Sequence, residues 1–261
     1  MVVGRGQSNS GTHMGGIKNN KSLGQHWLKN RAILNEIADL AGEGELCVEI
    51  GPGLGTLTSS LLKRFDKVIA IEFDERLARN LPGSFPGTNL EVVNEDILQY
   101  DFDSIQGKYT VAGNIPYYIT SPIIEKLLGL QNLPERVVLL IQKEVVERIV
   151  DRRETVLSLF VKNRADVMAG PVVVAAEFTP PPKVDSQIIV LKPHAPRVND
   201  EVFELIKRGF SSPRKKLMNN LSGYVETIRL REALGKIDVS LDARPSDLSL
   251  EMWAKLYSLL S

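Results

Sequence analysis

The stretch Val48-Glu49-Ile50-Gly51-Pro52-Gly53-Leu54-Gly55 decides the fold. Leu46 to Ile50 has the apolar density of a buried strand, and glycine then recurs at every second position. Glycine tolerates the left-handed backbone that tight turns need and leaves no side chain between the chain and a ligand. Thr56 to Phe65 follows as a helix. A strand, a glycine turn and a helix in that order open an alternating α/β arrangement, with a ligand expected at the turn.

The alternation continues outward. Lys67 to Glu72, Leu90 to Asn94, Tyr109 to Gly113 and Val137 to Ile141 read as further strands. Helices are expected over Asp74 to Leu81, where Pro82-Gly83 stops the run, and over Pro122 to Gly129, Lys143 to Val150 and Val156 to Lys162. Arg164 to Ala169 and Gln187 to Lys192 suit an edge pair, joined through the proline-rich Thr179 to Lys183. The expected fold is a Rossmann-like α/β unit, a mostly parallel sheet with helices on both faces. Lys192-Pro193-His194-Ala195-Pro196 disfavours continued strand or helix and marks a linker. Beyond it Val202, Leu205, Ile206 and Phe210 share one helical face, as do Leu250, Trp253, Leu256, Tyr257 and Leu260. The chain therefore divides into a Gly-, Ser- and Asn-rich tail over 1–20, expected to be flexible, an α/β domain over 21–195 and an all-helical domain over 196–261.

With 261 residues and 43% hydrophobic content, the chain can bury a core and a smaller satellite. No apolar run approaches the roughly 18–20 residues of a membrane span, and the first residues lack the apolar segment of a signal peptide. A single cysteine, Cys47, excludes an internal disulfide and a cysteine-rich zinc site, and suits a reducing cytoplasm; it reads as core. Lys and Arg total 32, as do Asp and Glu, so any nucleic-acid contact must come from local patches.

The glycine turn has rivals to weigh. A phosphate-binding P-loop needs Gly-Lys-Ser/Thr, and here Gly55 is followed by Thr56-Leu57-Thr58. A dinucleotide fingerprint starting at Gly51 needs its third glycine at 56, which is threonine; that reading is weakened and stays open as a distant alternative, a nicotinamide oxidoreductase. What remains is Gly51, Gly53 and Gly55 with Glu72 at the end of the second strand, able to accept from both hydroxyls of a ribose. Asp96 follows the third strand, where it can receive an adenine amine with Ile97 against the ring. S-adenosylmethionine, an adenosine without phosphates, fits this set.

Asn114-Ile115-Pro116-Tyr117 follows the fourth strand. It offers a side-chain amide, a rigid proline and an aromatic ring, a set that suits a flat base held by its exocyclic amine. Two acceptors on that amine, the Asn114 oxygen and a carbonyl near Ile115, can draw the nitrogen toward a tetrahedral shape that aims its lone pair at a methyl group. Such chemistry needs neither metal nor covalent nucleophile. The Tyr117 ring, rather than its hydroxyl, is expected to matter, through stacking.

These motifs occur in a recognisable series. Ser22-Leu23-Gly24-Gln25-His26-Trp27-Leu28, the glycine turn and Asn114 to Tyr117 are followed by Gln142-Lys143-Glu144-Val145 and by Phe178-Thr179-Pro180-Pro181-Pro182-Lys183-Val184-Asp185-Ser186. In this the chain resembles the ribosomal RNA adenine N6-dimethyltransferases, the small-subunit type in particular. The likeness covers nearly everything from Lys21 to Leu191, and Phe210 to Leu217 extends it into the helical part. It implies a class I methyltransferase that uses S-adenosylmethionine to dimethylate two adjacent adenines in the 3'-terminal hairpin loop of small-subunit rRNA, with a role in ribosome biogenesis. It further implies His26 and Leu28 at the methionine end of the cofactor, Gln25 helping to shape that lid and Gly51 beneath it. Glu72 is then at the ribose, Asp96 at the adenine and Asn114 between sulfonium and target amine. Pro116 fixes the turn, and Tyr117 and Phe178 sandwich the target base. Ile115 stands where the small-subunit type more often has leucine, and Asp151 to Thr155 is shorter than the family pattern. Two closer alternatives therefore stay open: a large-subunit adenine methyltransferase conferring antibiotic resistance, and a non-enzymatic assembly factor of the same fold.

For RNA contact the candidates are Lys207, Arg208, Arg214, Lys215 and Lys216, then Arg148 with Arg152 and Arg153; taken alone, each run reads more readily as a solvated helix face. The small ribosomal subunit is the expected partner of a monomeric enzyme. His13 and His194 fall in tail and linker, Trp253 reads as packing, and Trp27 as a hydrophobic anchor.

Overall fold

The computed structural model describes residues 25–261 and a strand pair ahead of them, β1 (His13–Met14) and β2 (Ile17–Lys18). The rest of the tail expected over 1–20 lies outside the described residues. In chain order there follow β3 (Trp27–Leu28), α1 (Arg31–Ala41), β4 (Gly44–Ile50), α2 (Thr58–Leu61), β5 (Phe65–Glu72), α3 (Glu75–Asn80), β6 (Leu90–Asn94) and β7 (Thr110–Asn114). Then come α4 (Thr120–Gly129), β8 (Arg136–Gln142), α5 (Lys143–Val150), α6 (Val156–Arg164), β9 (Ala165–Val173), β10 (Phe178–Thr179) and β11 (Ser186–Pro193). The chain closes with α7 (Asp200–Gly209), α8 (Leu217–Leu221), α9 (Thr227–Lys236) and α10 (Leu250–Leu260).

One seven-stranded sheet runs in the order β6-β5-β4-β7-β8-β11-β9. The first five strands are mutually parallel, and β11 and β9 are antiparallel additions. Strand alternation sends Val48 and Ile50 to one face and Cys47 to the other, and each face has its own cluster. Helices α4, α5 and α6 cover the first face through Ile123, Val146 and Val161; α1 covers the second through Leu34 and Ile37. The α/β expectation with helices on both faces holds.

Three details differ from the sequence reading. The helix expected over 56–65 shrinks to Thr58–Leu61, because the glycine turn runs on through its start and Phe65 already opens β5. Of the expected edge pair only β9 lies at an edge of the sheet; β11 lies between β8 and β9, which explains why Ile188, Ile189 and Leu191 are all buried. The third cluster, from Val202 to Leu256, also takes in Leu159 of α6. The helical part thus packs on a helix that precedes the expected boundary at 195/196.

Candidate active site

Strand order creates the cavity. After β4 the chain builds outward through β5 and β6, then crosses back to place β7 on the other side of β4. The crevice at such a reversal, beyond the carboxyl ends of the strands, is where open α/β sheets hold ligands. Here Gly51 follows β4, Glu72 closes β5, Asp96 lies two residues past β6 and Asn114 closes β7. All four line one cavity, together with Gln25, His26, Leu28, Gly53, Ile97, Pro116 and Tyr117.

The glycine turn has the left-handed backbone its sequence implies, with φ of 64° at Gly51, 57° at Gly53 and 79° at Gly55. At Gly55 a Cβ would also lie 2.7 Å from Leu81 and Phe85, so the turn is pressed against the segment after α3. Its N–H groups are engaged: Gly51 donates to Ile71 O at 2.9 Å, Gly55 to Pro52 O at 2.9 Å, and Gly53 to Glu72 Oε2 at 3.0 Å.

Glu72 therefore holds the turn while facing the cavity. Its other oxygen accepts from Asp74 N at 2.8 Å, so each oxygen keeps a lone pair for a ligand hydroxyl. Burial pushes its carboxyl above the ordinary value, opposed by the N–H groups of Asp74 and Gly53. Asp74 is held low by Arg76 and accepts from Gln25 Nε2 at 3.3 Å. Asp96 caps its own turn by accepting from Leu98 N at 2.9 Å. Glu49 also lines the cavity at 1% exposure. Burial pushes it up to about 8, against the 2.6 Å hydrogen bond from Thr58 Oγ1 and with Glu72 adding repulsion.

Across the cavity, Asn114 donates its Nδ2 to His26 O at 3.0 Å. That bond fixes which way the amide faces and leaves its oxygen without a partner among the described residues. His26 is fixed in turn, its Nδ1 donating to Pro180 O at 2.7 Å. Its ring stacks with Tyr117 at 6.2 Å between centroids and 19° between planes. The Tyr117 hydroxyl lies 2.7 Å from Ser186 Oγ, which is wholly buried. A hydroxyl to which the sequence reading gave no role thus has a partner.

Phe178 is placed differently from the other expected site residues: it is not among those lining the cavity, and it is 3% exposed in the second core cluster. Pairing of β10 with β3 sets Phe178 opposite the buried Leu28, and apolar packing claims the ring.

The family model described as "Ribosomal RNA adenine dimethylase" matches residues 16–261. The chain belongs to the ribosomal RNA adenine dimethylase family. It is 38% identical over 261 residues to "Ribosomal RNA small subunit methyltransferase A" of Geobacter sulfurreducens, covering 92% of this chain and 95% of that one. Among solved structures, a dimethyladenosine transferase from Plasmodium falciparum matches with a TM-score of 0.75 and 30% identity, over 88% of this chain and 96% of the other. The 23S rRNA methyltransferase ErmE matches with a TM-score of 0.75 and 27% identity, over 90% and 99%.

In this member of the ribosomal RNA adenine dimethylase family the basic residues lie apart from the cavity lining. Lys207 and Arg208 sit on α7, but Arg214, Lys215 and Lys216 occupy the turn before α8, so the run is not one helical face. Arg208 lies over the Tyr224 ring at 3.9 Å. Lys207 pairs with Glu204 at 2.7 Å, Lys216 with Asp242 at 2.5 Å, and Arg148 with Glu144. Sequence reasoning passed over Glu49, Trp27, Phe73 and Tyr118, which also line the cavity. Phe73 and Tyr118 are 62% and 64% exposed, and each directly follows a residue that was singled out. Among the described residues no group of three His, Cys, Asp or Glu could hold a metal, and no helix is long and apolar enough to cross a membrane.

Proposed function

We propose that this protein uses S-adenosylmethionine to dimethylate N6 of two adjacent adenines in the 3'-terminal hairpin loop of small-subunit rRNA. The observation that carries the reading is the convergence of Gly51, Glu72, Asp96 and Asn114 on one cavity at four neighbouring strand ends. Membership in the family and the small-subunit name of the Geobacter relative support the reaction and the RNA.

The donor set fits an adenosine ligand. Glu72 keeps acceptor capacity for ribose hydroxyls, and Asp96 with Ile97 suits the adenine. Bound S-adenosylmethionine supplies a methyl group already activated on a sulfonium. The protein's task is to orient the other reactant. Asn114, its amide turned by His26 O, offers its oxygen to one hydrogen of the adenine amine; a backbone carbonyl near Ile115 takes the other. Pro116 fixes that turn, and Tyr117, steadied by His26 and Ser186, provides the ring against the base. A base must leave its stack to reach this depth, which is least costly in a loop. Stacking on Tyr117, worth about 1–3 kcal/mol, helps offset that cost. The α/β part, 21–195, carries the chemistry, while 196–261 together with Arg148 grips rRNA backbone through Lys207, Arg208 and the turn Arg214 to Lys216. The enzyme acts as a cytoplasmic monomer on the small subunit.

The test is to incubate the protein with labelled S-adenosylmethionine and small or large subunits that lack the modification, then map the label. Label on adjacent adenines of the small-subunit hairpin is expected. The likeness to the 23S rRNA methyltransferase makes the large-subunit arm necessary, and label there alone would transfer the assignment.

A further inference from the structure

Trp27 reads from sequence as an anchor, and the structure bears out half of that. Its ring is 6% exposed and its backbone pairs with Thr179 in the short β3–β10 ladder. Yet Trp27 also lines the cavity, and its indole Nε1 is buried with no hydrogen-bond partner among the described residues. The edge carrying that nitrogen faces the glycine turn: a Cβ on Gly53 would stand 3.5 Å from both Nε1 and Cδ1. A buried indole N–H can only donate, so what completes it is an acceptor entering from the cavity.

The surroundings narrow that acceptor. The three glycine N–H groups of the turn are committed to Ile71 O, Glu72 and Pro52 O, so they offer nothing to an anion. Glu72 and Asp96 present acceptors, which suit the hydroxyls and amine of an adenosine. The amino-acid end of S-adenosylmethionine bears the ligand's one group that is charged and purely accepting, its carboxylate. In a cavity also lined by Glu49 and Glu72, that carboxylate needs a donor facing it. We propose that the Trp27 indole N–H donates a hydrogen bond to the carboxylate of bound S-adenosylmethionine. The proposal rests on the reading of this cavity as the S-adenosylmethionine site.

Trp27→Phe keeps the packing and removes the donor. By calorimetry it should weaken S-adenosylmethionine binding roughly tenfold, the scale of one hydrogen bond to a charged group. Decarboxylated S-adenosylmethionine, which lacks only the acceptor, should bind wild type and Trp27→Phe alike. A second measurement needs no variant. The chain has 2 tryptophans, and the Trp27 indole N–H resonance should move downfield with S-adenosylmethionine but not with the decarboxylated compound. Equal weakening of both ligands, no weakening of either, or an indole resonance indifferent to the carboxylate overturns the proposal. A wild-type protein that binds neither ligand instead overturns the reading of the cavity, and this inference with it.

Discussion

The cavity and the basic segment of the helical part both present polar side chains, yet those side chains are restrained in opposite ways. Around the cavity each group is turned by a partner: Asn114 by His26 O, His26 by Pro180 O, Tyr117 by Ser186, Glu72 by two backbone N–H groups. On the helical part, Lys207 and Lys216 hold surface carboxylates, and Arg214 and Lys215 have no side-chain partner among the described residues. Surface pairs of this kind contribute about 0–1 kcal/mol, so a phosphate can replace a carboxylate at little cost. The buried network fixes direction; the exposed one keeps its charge available. Substitutions in the first should therefore act on turnover or ligand affinity, and in the second on salt-dependent binding.

The largest effect is expected at Asn114. Asn114→Ala should keep cofactor and RNA binding and lose on the order of 10²–10³ in turnover, as for loss of one preorganised polar partner. Single-turnover methylation near the wild-type rate would break the contrast at its strongest point. Glu72→Ala should weaken S-adenosylmethionine binding roughly ten- to a hundredfold, the worth of hydrogen bonds to a charged group. The same variant also frees the Gly53 and Asp74 N–H groups, so calorimetry should be paired with a melting curve.

Tyr117→Phe sharpens the comparison. If only the ring mattered the change would be mild, but it strands the buried Ser186 hydroxyl, at a cost of about 1–3 kcal/mol. Turnover should fall about tenfold, with Ser186→Ala alongside it costing little more. Additive losses in that double-mutant cycle would show the hydroxyl contact to be idle. Reversing Arg214 and Lys215 to glutamate should leave cofactor affinity alone and lower the salt dependence of subunit binding by about two phosphate contacts. An unchanged slope moves the RNA footprint toward Arg148 to Arg153.

The smallest effect on activity, and the most specific in pH, concerns Glu49. Its folded-state value of about 8 lies above the ordinary carboxylate value, so the fold favours the neutral form. The stability this gives is complete below the ordinary value and is lost as pH rises through about 8. Melting temperature of the ligand-free protein should fall across that window, and Glu49→Gln should flatten the fall. A slope identical in both proteins would assign the titration elsewhere.

Much of this was legible because strand ends carry side chains in fixed directions. Gly51, Glu72, Asp96 and Asn114 each stand within two residues of a strand terminus, so a strand reading alone brings them together. Trp27 and Phe178 were less legible for one reason: they share the β3–β10 ladder, a contact across about 150 residues that no local pattern announces. Glu49 was hidden inside an apolar strand, where its neighbours signal core and only the register shows that it borders the cavity. The true place of β11, inside the sheet, follows from the same kind of long-range pairing.

The bond from His26 to Pro180 spans 154 positions, and that from Tyr117 to Ser186 spans 69. During synthesis the glycine turn and its parallel strands can assemble early, but the wall opposite them stays open until residue 186 has left the ribosome. The pocket is thus a late product of folding. S-adenosylmethionine binding should appear abruptly in a series of C-terminally shortened chains, at the length that first includes β11, and a nascent enzyme is inert until its sheet has closed.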